Sequence, residues 1–460
     1  MSSRRKLLVL DLVGLTPSAL ERAPRLKTHA SGFRAPMQTV LPAVTCTAQA
    51  SFLTGALPEK HGIVANGWYF RGLDEVWLWR QSRYLIEGST LFDDLRRAGK
   101  RAANLFGWYN WNCGADWSIT PKPSYGADGR KEPGIHTEPL ELREPLEREL
   151  GPFPLFEFWG PRAGIRSTEW IARSVRFVLE KHEPDLVFGY LPHLDYDHQR
   201  FGPDAPRSIA AIAELDRVAG DLCDAAKQRG YEILAFSEYG ITDVAGFSAP
   251  NRALRREGYL RVRFDPLSRE LPLFGTSRAF AVCDHQIAHV YVSDRSDRGR
   301  VRDLLLSDPA VGEVLEGESR KAAGLDHPNS GELVALAKPD RWLAYPYWLD
   351  DAAAPDFARS VDIHRKPGYD PAELFLDPAL AAPTARVAWT LLKKKLGFRY
   401  LMEVIPLDPS PVRGSHGLLP REQSRGPILL GSEGAPRPRE SKIVALRSAI
   451  GGFFGLPPHP

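Results

Sequence analysis

Residues 41–67, LPAVTCTAQASFLTGALPEKHGIVANG, contain a loop that turns into a short helix. Thr45 and Thr47 stand at the predicted start of that helix. Unpaired backbone N–H groups and the positive end of the helix dipole stabilise an anion or an alkoxide there. A hydroxyl residue in that place also commonly serves only as the helix N-cap. The stretch therefore offers either a nucleophile beside an anion site or an ordinary cap.

Strand-like and helix-like segments alternate on both sides of this stretch. Apolar runs predict buried strands at residues 6–13, 102–106, 185–191 and 231–236, and helical periods predict helices at 91–98, 169–181 and 208–228. This β-α-β-α order predicts an α/β fold with a mostly parallel sheet and helices on both faces. Ligands bind beyond the carboxyl ends of such strands, where Asp11, residues 193–198 and Glu238 stand.

The regular pattern loosens from about Gly246. Short apolar runs at residues 288–292 and 332–337 alternate there with Pro-rich and Arg-rich stretches, and a helical period returns at 385–396. Residues 426–431, GPILLG, look like a return to a core strand. We therefore expect a core over residues 1–245, an inserted cap over residues 246–411, and a return to the core with a C-terminal tail over residues 412–460.

Composition and charge exclude several classes of protein. The 460 residues are 43% hydrophobic and 25% charged, which excludes a disordered chain, a collagen-like fibre and a polytopic membrane protein. Sixty basic residues against 57 acidic ones give no argument for a nucleic-acid or membrane partner. The four cysteines form no CxxC pair, and the first apolar run is broken by Asp11 with no cleavage site after it. We therefore expect free thiols and a cytoplasmic protein.

A family resemblance emerges from the spacing of these motifs. Residues 42–63 carry PxxT, TG and PxxHGI in order, after a strand that ends in Asp11. This pattern resembles the nucleotide pyrophosphatase/phosphodiesterase branch of the alkaline phosphatase superfamily. The resemblance implies that Thr45 is the nucleophile and that Asp11 is a metal ligand. It also implies that Asn66, 21 positions after Thr45, donates to a phosphoryl oxygen. It covers roughly residues 5–245 and 412–432 and leaves the cap out.

The same resemblance implies a metal ligand in residues 190–203, YLPHLDYDHQRFGP. Asp195 and the closing Gly-Pro match the family pattern. Gln199, however, stands where the family has a histidine ligand. His198 and His193 are the alternative replacements for that ligand, and surface histidines on a polar loop are the simpler interpretation.

Two further strand ends complete the implied ligand set. In residues 237–240, SEYG, Glu238 keeps a ligand type while Tyr239 stands where a histidine is expected. Tyrosine is a poor zinc ligand, so this is the largest departure from the family pattern. His416, followed by glycine and then by the run at 426–431, matches the last family ligand.

Three histidines of the cap are candidates for the missing imidazole or for contacts with substrate: His285, His289 and His364. Hydrogen bonds that only stabilise the cap are the alternative for all three. The aromatic residues Trp342, Tyr345, Tyr347 and Trp348 are predicted to form the cap core.

Together these implications predict a metal-dependent hydrolase of phosphate esters, of phosphodiesterase/pyrophosphatase type, that works through a phospho-threonine intermediate. The implied cofactor is a divalent metal, zinc in first place, as one or two ions. Asp11, Thr45 and Glu238 would hold one ion; Asp195, His416 and a nearby histidine would hold the other. The first set is all oxygen, so Mn²⁺ or Mg²⁺ is the alternative there.

The substrate is expected to be a small phosphorylated molecule. The family's stacking aromatic residue is absent, because residues 46–48 read CTA, so a preference for nucleotides is not implied. A phosphonate or phosphomonoester hydrolase of the same superfamily is one alternative. A non-catalytic protein that binds a phosphorylated ligand is the other, and Gln199 and Tyr239 are the reason to keep it.

Overall fold

The computed structural model describes residues 4–127, 130–398 and 400–457. The ends of the predicted core and tail, residues 1–3 and 458–460, lie outside these ranges. The strands of its two largest sheets are β1 (Lys6–Leu12), β2 (Phe33–Pro36), β3 (Ala102–Leu105), β4 (Trp117–Pro121), β5 (Ile135–Glu138), β6 (Leu186–Leu191), β7 (Tyr231–Phe236), β8 (Ala279–Asp284), β9 (Ile287–Val292), β10 (Val311–Leu315), β11 (Leu333–Ala337) and β12 (Ile428–Gly431).

The helices are α1 (Pro17–Leu20), α2 (Pro24–His29), α3 (Thr45–Thr54), α4 (Pro58–His61), α5 (Leu91–Arg97), α6 (Arg143–Leu150), α7 (Ile165–Lys181), α8 (His193–Phe201), α9 (Pro206–Lys227), α10 (Pro250–Arg256), α11 (Arg298–Leu306), α12 (Glu318–Ala322), α13 (Pro383–Lys395) and α14 (Leu446–Phe453). Short strand pairs join Gly67–Phe70 to Glu75–Leu78, Ser124–Tyr125 to Lys131–Glu132, Thr242–Asp243 to Gly414–Ser415, Gly246–Ser248 to Arg341–Leu343, and Val262–Phe264 to Glu270–Pro272.

The central sheet has eight strands in the order β2-β12-β7-β1-β6-β3-β4-β5. Its five middle strands are parallel, and β2, β12 and β5 run antiparallel to their neighbours. Helices cover both faces, as two successive residues of β6 show. Phe188 stacks on Phe52 of α3, while Gly189 faces Val175 of α7. Side chains of successive strand residues point to opposite faces, so the predicted α/β architecture is confirmed.

The middle of the chain forms a second, antiparallel sheet in the order β8-β9-β11-β10. Its hydrophobic cluster includes three of the four predicted cap aromatics, and Trp342 is equally buried in a small neighbouring cluster, so their prediction as cap core is confirmed. The turn between β8 and β9 contacts the segment that precedes β12, because the N–H of Gln286 donates to the carbonyl of His416. The division at residues 245 and 411 stays a prediction.

None of the helices in the described ranges has both the length and the apolar character that crossing a bilayer requires. The cluster at residues 193–198 also differs from the polar surface loop considered above. It forms the first two turns of α8, and these residues are buried.

Candidate active site

The start of α3 carries a hydroxyl group that does not cap the helix. Val44 is the N-cap residue, in extended conformation and without a side-chain cap, and Thr45 is the first helical residue. The Oγ1 atom of Thr45 lies 3.1 Å from the Oη of Tyr239. Thr47 is fully buried, and its hydroxyl has no hydrogen-bond partner within the described residues. The Thr45 side chain therefore does not cap the helix, and it lies beside the unpaired N–H groups at the start of α3.

Two buried carboxyl groups lie beside this helix start. Asp11 is the next-to-last residue of β1, and Glu238 follows the neighbouring strand β7. Gln49, one turn along α3 from Thr45, donates from Nε2 to Asp11 Oδ2 over 3.1 Å. The other oxygen of Asp11 and both oxygens of Glu238 have no hydrogen-bond partner among the described residues.

Burial raises the pKa of both carboxyl groups, and the nearby charge of Glu238 raises that of Asp11 further. Three unpaired oxygens on two adjacent acidic groups are costly unless a cation or protons neutralise them. Carboxylate and hydroxyl oxygens are the ligands that hard divalent cations prefer. The donor set of Asp11, Glu238 and Thr45 therefore fits a single divalent ion.

Asp195, on α8, has a different environment. Its Oδ2 accepts from Gln199 Nε2 over 2.8 Å, and its Oδ1 accepts from Tyr239 Oη over 3.3 Å. The Oη of Tyr369, in the cap, donates to Gln199 Oε1 over 2.7 Å and so holds the amide in place. Burial, followed by the charge of Glu238, raises the pKa of Asp195 to about 7. Both of its oxygens are thus already engaged by donors from the chain.

Four rings follow one another across the junction of core and cap, with the two outer pairs stacked and the middle pair, His416 and His285, tilted by 37°. The ring centroids of Tyr239 and His416 are 3.6 Å apart, those of His416 and His285 3.7 Å, and those of His285 and Tyr369 3.6 Å. His416 Nδ1 donates to the carbonyl of Ala43 over 2.8 Å, which leaves its buried Nε2 without a hydrogen bond among the described residues. That nitrogen lies 3.8 Å from Asp195 Oδ1.

The cap also fixes the asparagine of the core motif. Asn66 Oδ1 accepts from the N–H of Cys46 over 2.9 Å, which holds Asn66 against the first turn of α3. Its Nδ2 and its backbone N–H donate to the two oxygens of Asp284, over 3.0 and 2.7 Å. Asp284 also pairs with Nδ1 of His285 at 2.7 Å. One N–H of the Asn66 amide thus remains for a ligand at the start of α3.

Several predicted residues lie away from this group. His193 Nε2 lies 2.8 Å from Glu214 Oε2. His198 lines a cleft of about 110 Å³ with Thr16 and Asp204, and neither of its ring nitrogens has a hydrogen-bond partner in the described chain. No hydrogen bond or ion pair joins either histidine to Asp195 within the described residues. Their place as replacements for the expected ligand at Gln199 stays a prediction.

The three cap histidines differ from one another in whether they contact this group of residues. His289 uses both ring nitrogens, Nε2 with the carbonyl of Val64 and Nδ1 with the N–H of Gly331. His364 is half-buried, and burial lowers its pKa to about 4. Only His285 joins the ring stack. In the ranges that the structure describes, no group of three His, Cys, Asp or Glu side chains is arranged to hold a metal by itself.

Sequence reasoning missed three residues of this site: Gln49, Asp284 and Tyr369. Gln49 is four residues after Thr45, and residues four apart share a helix face, so the spacing contained the signal. Asp284 and Tyr369 reach the site only through the packing of the cap, and no spacing along the chain indicates that packing.

Comparison with known proteins places these features in a family. The sequence model of the type I phosphodiesterase / nucleotide pyrophosphatase family matches residues 7–370. An uncharacterized pyrophosphatase/phosphodiesterase of Schizosaccharomyces pombe is 25% identical over 233 residues. That match covers 50% of this chain and only 41% of the relative.

Solved structures share the fold over nearly the whole chain. An inactive threonine-to-alanine variant of murine ectonucleotide pyrophosphatase / phosphodiesterase 5, in complex with AMP, superposes with a TM-score of 0.59 at 14% identity, covering 99% of this chain and 96% of that one. Phosphonoacetate hydrolase from Sinorhizobium meliloti, in complex with phosphonoformate, superposes with a TM-score of 0.60 at 16% identity, covering 98% and 96%. Both likenesses concern the fold.

Proposed function

The chain belongs to the type I phosphodiesterase / nucleotide pyrophosphatase family, and from that premise we propose a metal-dependent hydrolase of phosphate esters with Thr45 as its nucleophile. The observation that carries the proposal is the convergence at the start of α3. The hydroxyl of Thr45, which does not cap the helix, lies beside two buried carboxyl groups. An asparagine amide is held against the same helix turn.

Each of these groups has a separate task in phosphoryl transfer. The N–H groups of the first α3 turn and the remaining amide N–H of Asn66 bind the non-bridging oxygens, on which negative charge is spread. Thr45 Oγ1 gives up its proton and forms the new bond to phosphorus as the bond to the leaving oxygen breaks, and the leaving oxygen takes up a proton in exchange. Water then attacks the phospho-threonine, which releases phosphate product and restores the hydroxyl.

Asp11, Glu238 and Thr45 would hold a divalent ion, which when bound neutralises phosphoryl charge and lowers the pKa of the hydroxyl. Gln49 positions this half of the site, because its hydrogen bond fixes one oxygen of Asp11 and leaves the other free. The half around Asp195 is held by hydrogen bonds from Tyr239 and Gln199. We therefore propose one tightly held ion, with a second ion bound weakly or not at all.

A small phosphorylated molecule is proposed, because the site lies at a helix start that suits one phosphoryl group. A phosphonate hydrolase is a second candidate, and the fold shared with a phosphonoacetate hydrolase favours testing it. The cytoplasm is the proposed compartment, since the four cysteines are free and buried. Fractionation of cells that produce the protein tests that proposal.

Replacement of Thr45 tests the proposed function. Thr45→Ala should lower hydrolysis of an activated aryl phosphodiester by at least about a thousand-fold, since it removes the attacking oxygen. Thr45→Ser is the matched control, because it keeps the hydroxyl and should keep measurable turnover. Both variants should unfold at the wild-type temperature. Wild-type turnover in Thr45→Ala would reject Thr45 as nucleophile.

Binding without turnover is the competing function. Gln199 and Tyr239 favour it, because they fill the places of two family ligands. Wild-type protein that binds a phosphorylated ligand by calorimetry but hydrolyses no diester, monoester or phosphonate with any divalent metal would establish this alternative.

A further inference from the structure

Helix α13 presents an apolar face to solvent. Trp389, Leu392 and Leu396, the last at the helix C-cap, follow one another at intervals of three and four residues, so they share one side of the helix. Their exposed fractions are 58%, 43% and 62%. The chain continues with Phe398, which is 64% exposed. A surface helix of a globular domain normally turns such a face towards the core. In α13 the apolar face points to solvent instead.

The opposite side of α13 holds the helix on the cap. Thr390 is buried, and Val387 packs against the small cluster around Ile405. Lys394 Nζ forms an ion pair with Glu132 Oε1 at 3.0 Å. These contacts fix which side of the helix faces inward. The outward position of the apolar face therefore follows from the way the helix is attached.

Basic residues lie on both sides of Leu392, and Lys395 separates this face from Leu391, which is 50% exposed. At 100° per residue, Lys393 lies to one side of Leu392 and Lys395 to the other. Lys393 also lies 5.6 Å above the ring of Trp389, at the edge of the face. Exposed tryptophan and leucine flanked by lysines are typical of helices that lie in a membrane interface. The charge around the face is complementary to an anionic surface, whereas the whole chain carries only +3.

We propose that α13 docks the protein on an anionic phospholipid surface. The helix lies parallel to the membrane, Trp389, Leu392 and Leu396 enter the headgroup region, and Lys393 and Lys395 contact lipid phosphates. A helix of 13 residues is about 20 Å long and too short to span a bilayer, so it lies on the membrane and does not cross it. The near-neutral composition of the chain does not predict such contact, because the basic charge is local to this helix.

Flotation with lipid vesicles tests the docking surface. The full-length protein should float with vesicles of phosphatidylcholine and phosphatidylglycerol at least about ten-fold more than with phosphatidylcholine alone, and salt should reduce the difference. The double variant Trp389→Ser with Leu396→Ser should lose at least about ten-fold of this binding. The double variant Lys393→Gln with Lys395→Gln should lose the preference for anionic lipid. Circular dichroism checks the fold of each variant.

Leu306→Ser is the matched control, since Leu306 is 48% exposed at the end of α11, outside this face. It should float like the wild type. Leu396→Cys with an environment-sensitive dye adds a direct readout, because the four native cysteines are buried. Its emission should shift to the blue on anionic vesicles. Absence of vesicle binding would overturn the proposal, as would equal losses in the control. A dimer that the Trp389/Leu396 variant abolishes would also overturn it and assign the face to a second copy of the chain.

Discussion

Replacement of Asp195 by asparagine should stabilise the metal-free protein at alkaline pH and leave its stability nearly unchanged at acid pH. Burial raises the pKa of Asp195 from 3.8 to about 7. A carboxyl group whose pKa is raised on folding holds its proton in the folded state. The free-energy cost of ionising the buried group is therefore absent below the pKa of the unfolded state, and it grows as the pH rises to the pKa of the folded state. About three pKa units correspond to about 4 kcal/mol at and above pH 7.

Asparagine avoids this cost but loses part of the local hydrogen bonding. Tyr239 and Gln199 both donate to Asp195, and an asparagine amide places a donor against one of them, which costs about 1–2 kcal/mol at any pH. The net gain should be about 3 kcal/mol near pH 8 and close to zero near pH 5, because about two of the three pKa units lie in that interval. Urea unfolding with a chelator, followed by circular dichroism, measures both values.

Asp197→Asn is the control on the same helix. Asp197 is buried but paired with Arg200 and Arg207, so its replacement should destabilise the protein near pH 8. An effect of Asp195→Asn that is the same near pH 5 and near pH 8 would refute the burial argument.

Two further predictions concern the metal and the cap. Elemental analysis should find about one tightly held divalent ion per chain, and the Asp11→Asn variant should lose that ion. Two equivalents of metal per chain would show that Asp195 gives up its hydrogen bonds from Tyr239 and Gln199 to bind a second ion. Lys366→Met should cost about 3–5 kcal/mol of unfolding free energy, because the buried ammonium lies 2.7 Å from Asp370 and 2.8 Å from Glu373. Lys395→Met, on an exposed helix end, should change the unfolding free energy by less than about 0.5 kcal/mol.

The core of the fold was predictable because its strands are buried on both faces. Such strands are continuous apolar runs, and residues 231–236 and 102–106 were located to within one residue of β7 and β3. The cap was less predictable. One of its three-residue strand pairs joins segments that are far apart along the chain, Gly246–Ser248 and Arg341–Leu343. No local period marks such pairs.

The convergence of the site was predictable for the same topological reason. Carboxyl ends of parallel strands meet at one edge, and Asp11 and Glu238 follow neighbouring strands. The orientation of His193 was not predictable without α8. On a helix, Gln199 lies 40° from Asp195, while His193 lies on the far side. A polar loop, by contrast, does not define the direction in which each side chain points.

The two departures from the family pattern are connected through the cap, and this connection explains the asymmetry of the site. Gln199 and Tyr239 stand where the family pattern has histidines, and both donate a hydrogen bond to Asp195. Hydrogen bonds from the chain therefore occupy the half of the site around Asp195. Gln199 is oriented by Tyr369, which is 170 residues further along the chain, so its role is invisible in the local sequence. Within the described residues, one oxygen of Asp11 and both oxygens of Glu238 have no such donor. The proposed single ion would therefore lie on the Asp11 and Glu238 side of Thr45, while hydrogen bonds satisfy Asp195 on the other side.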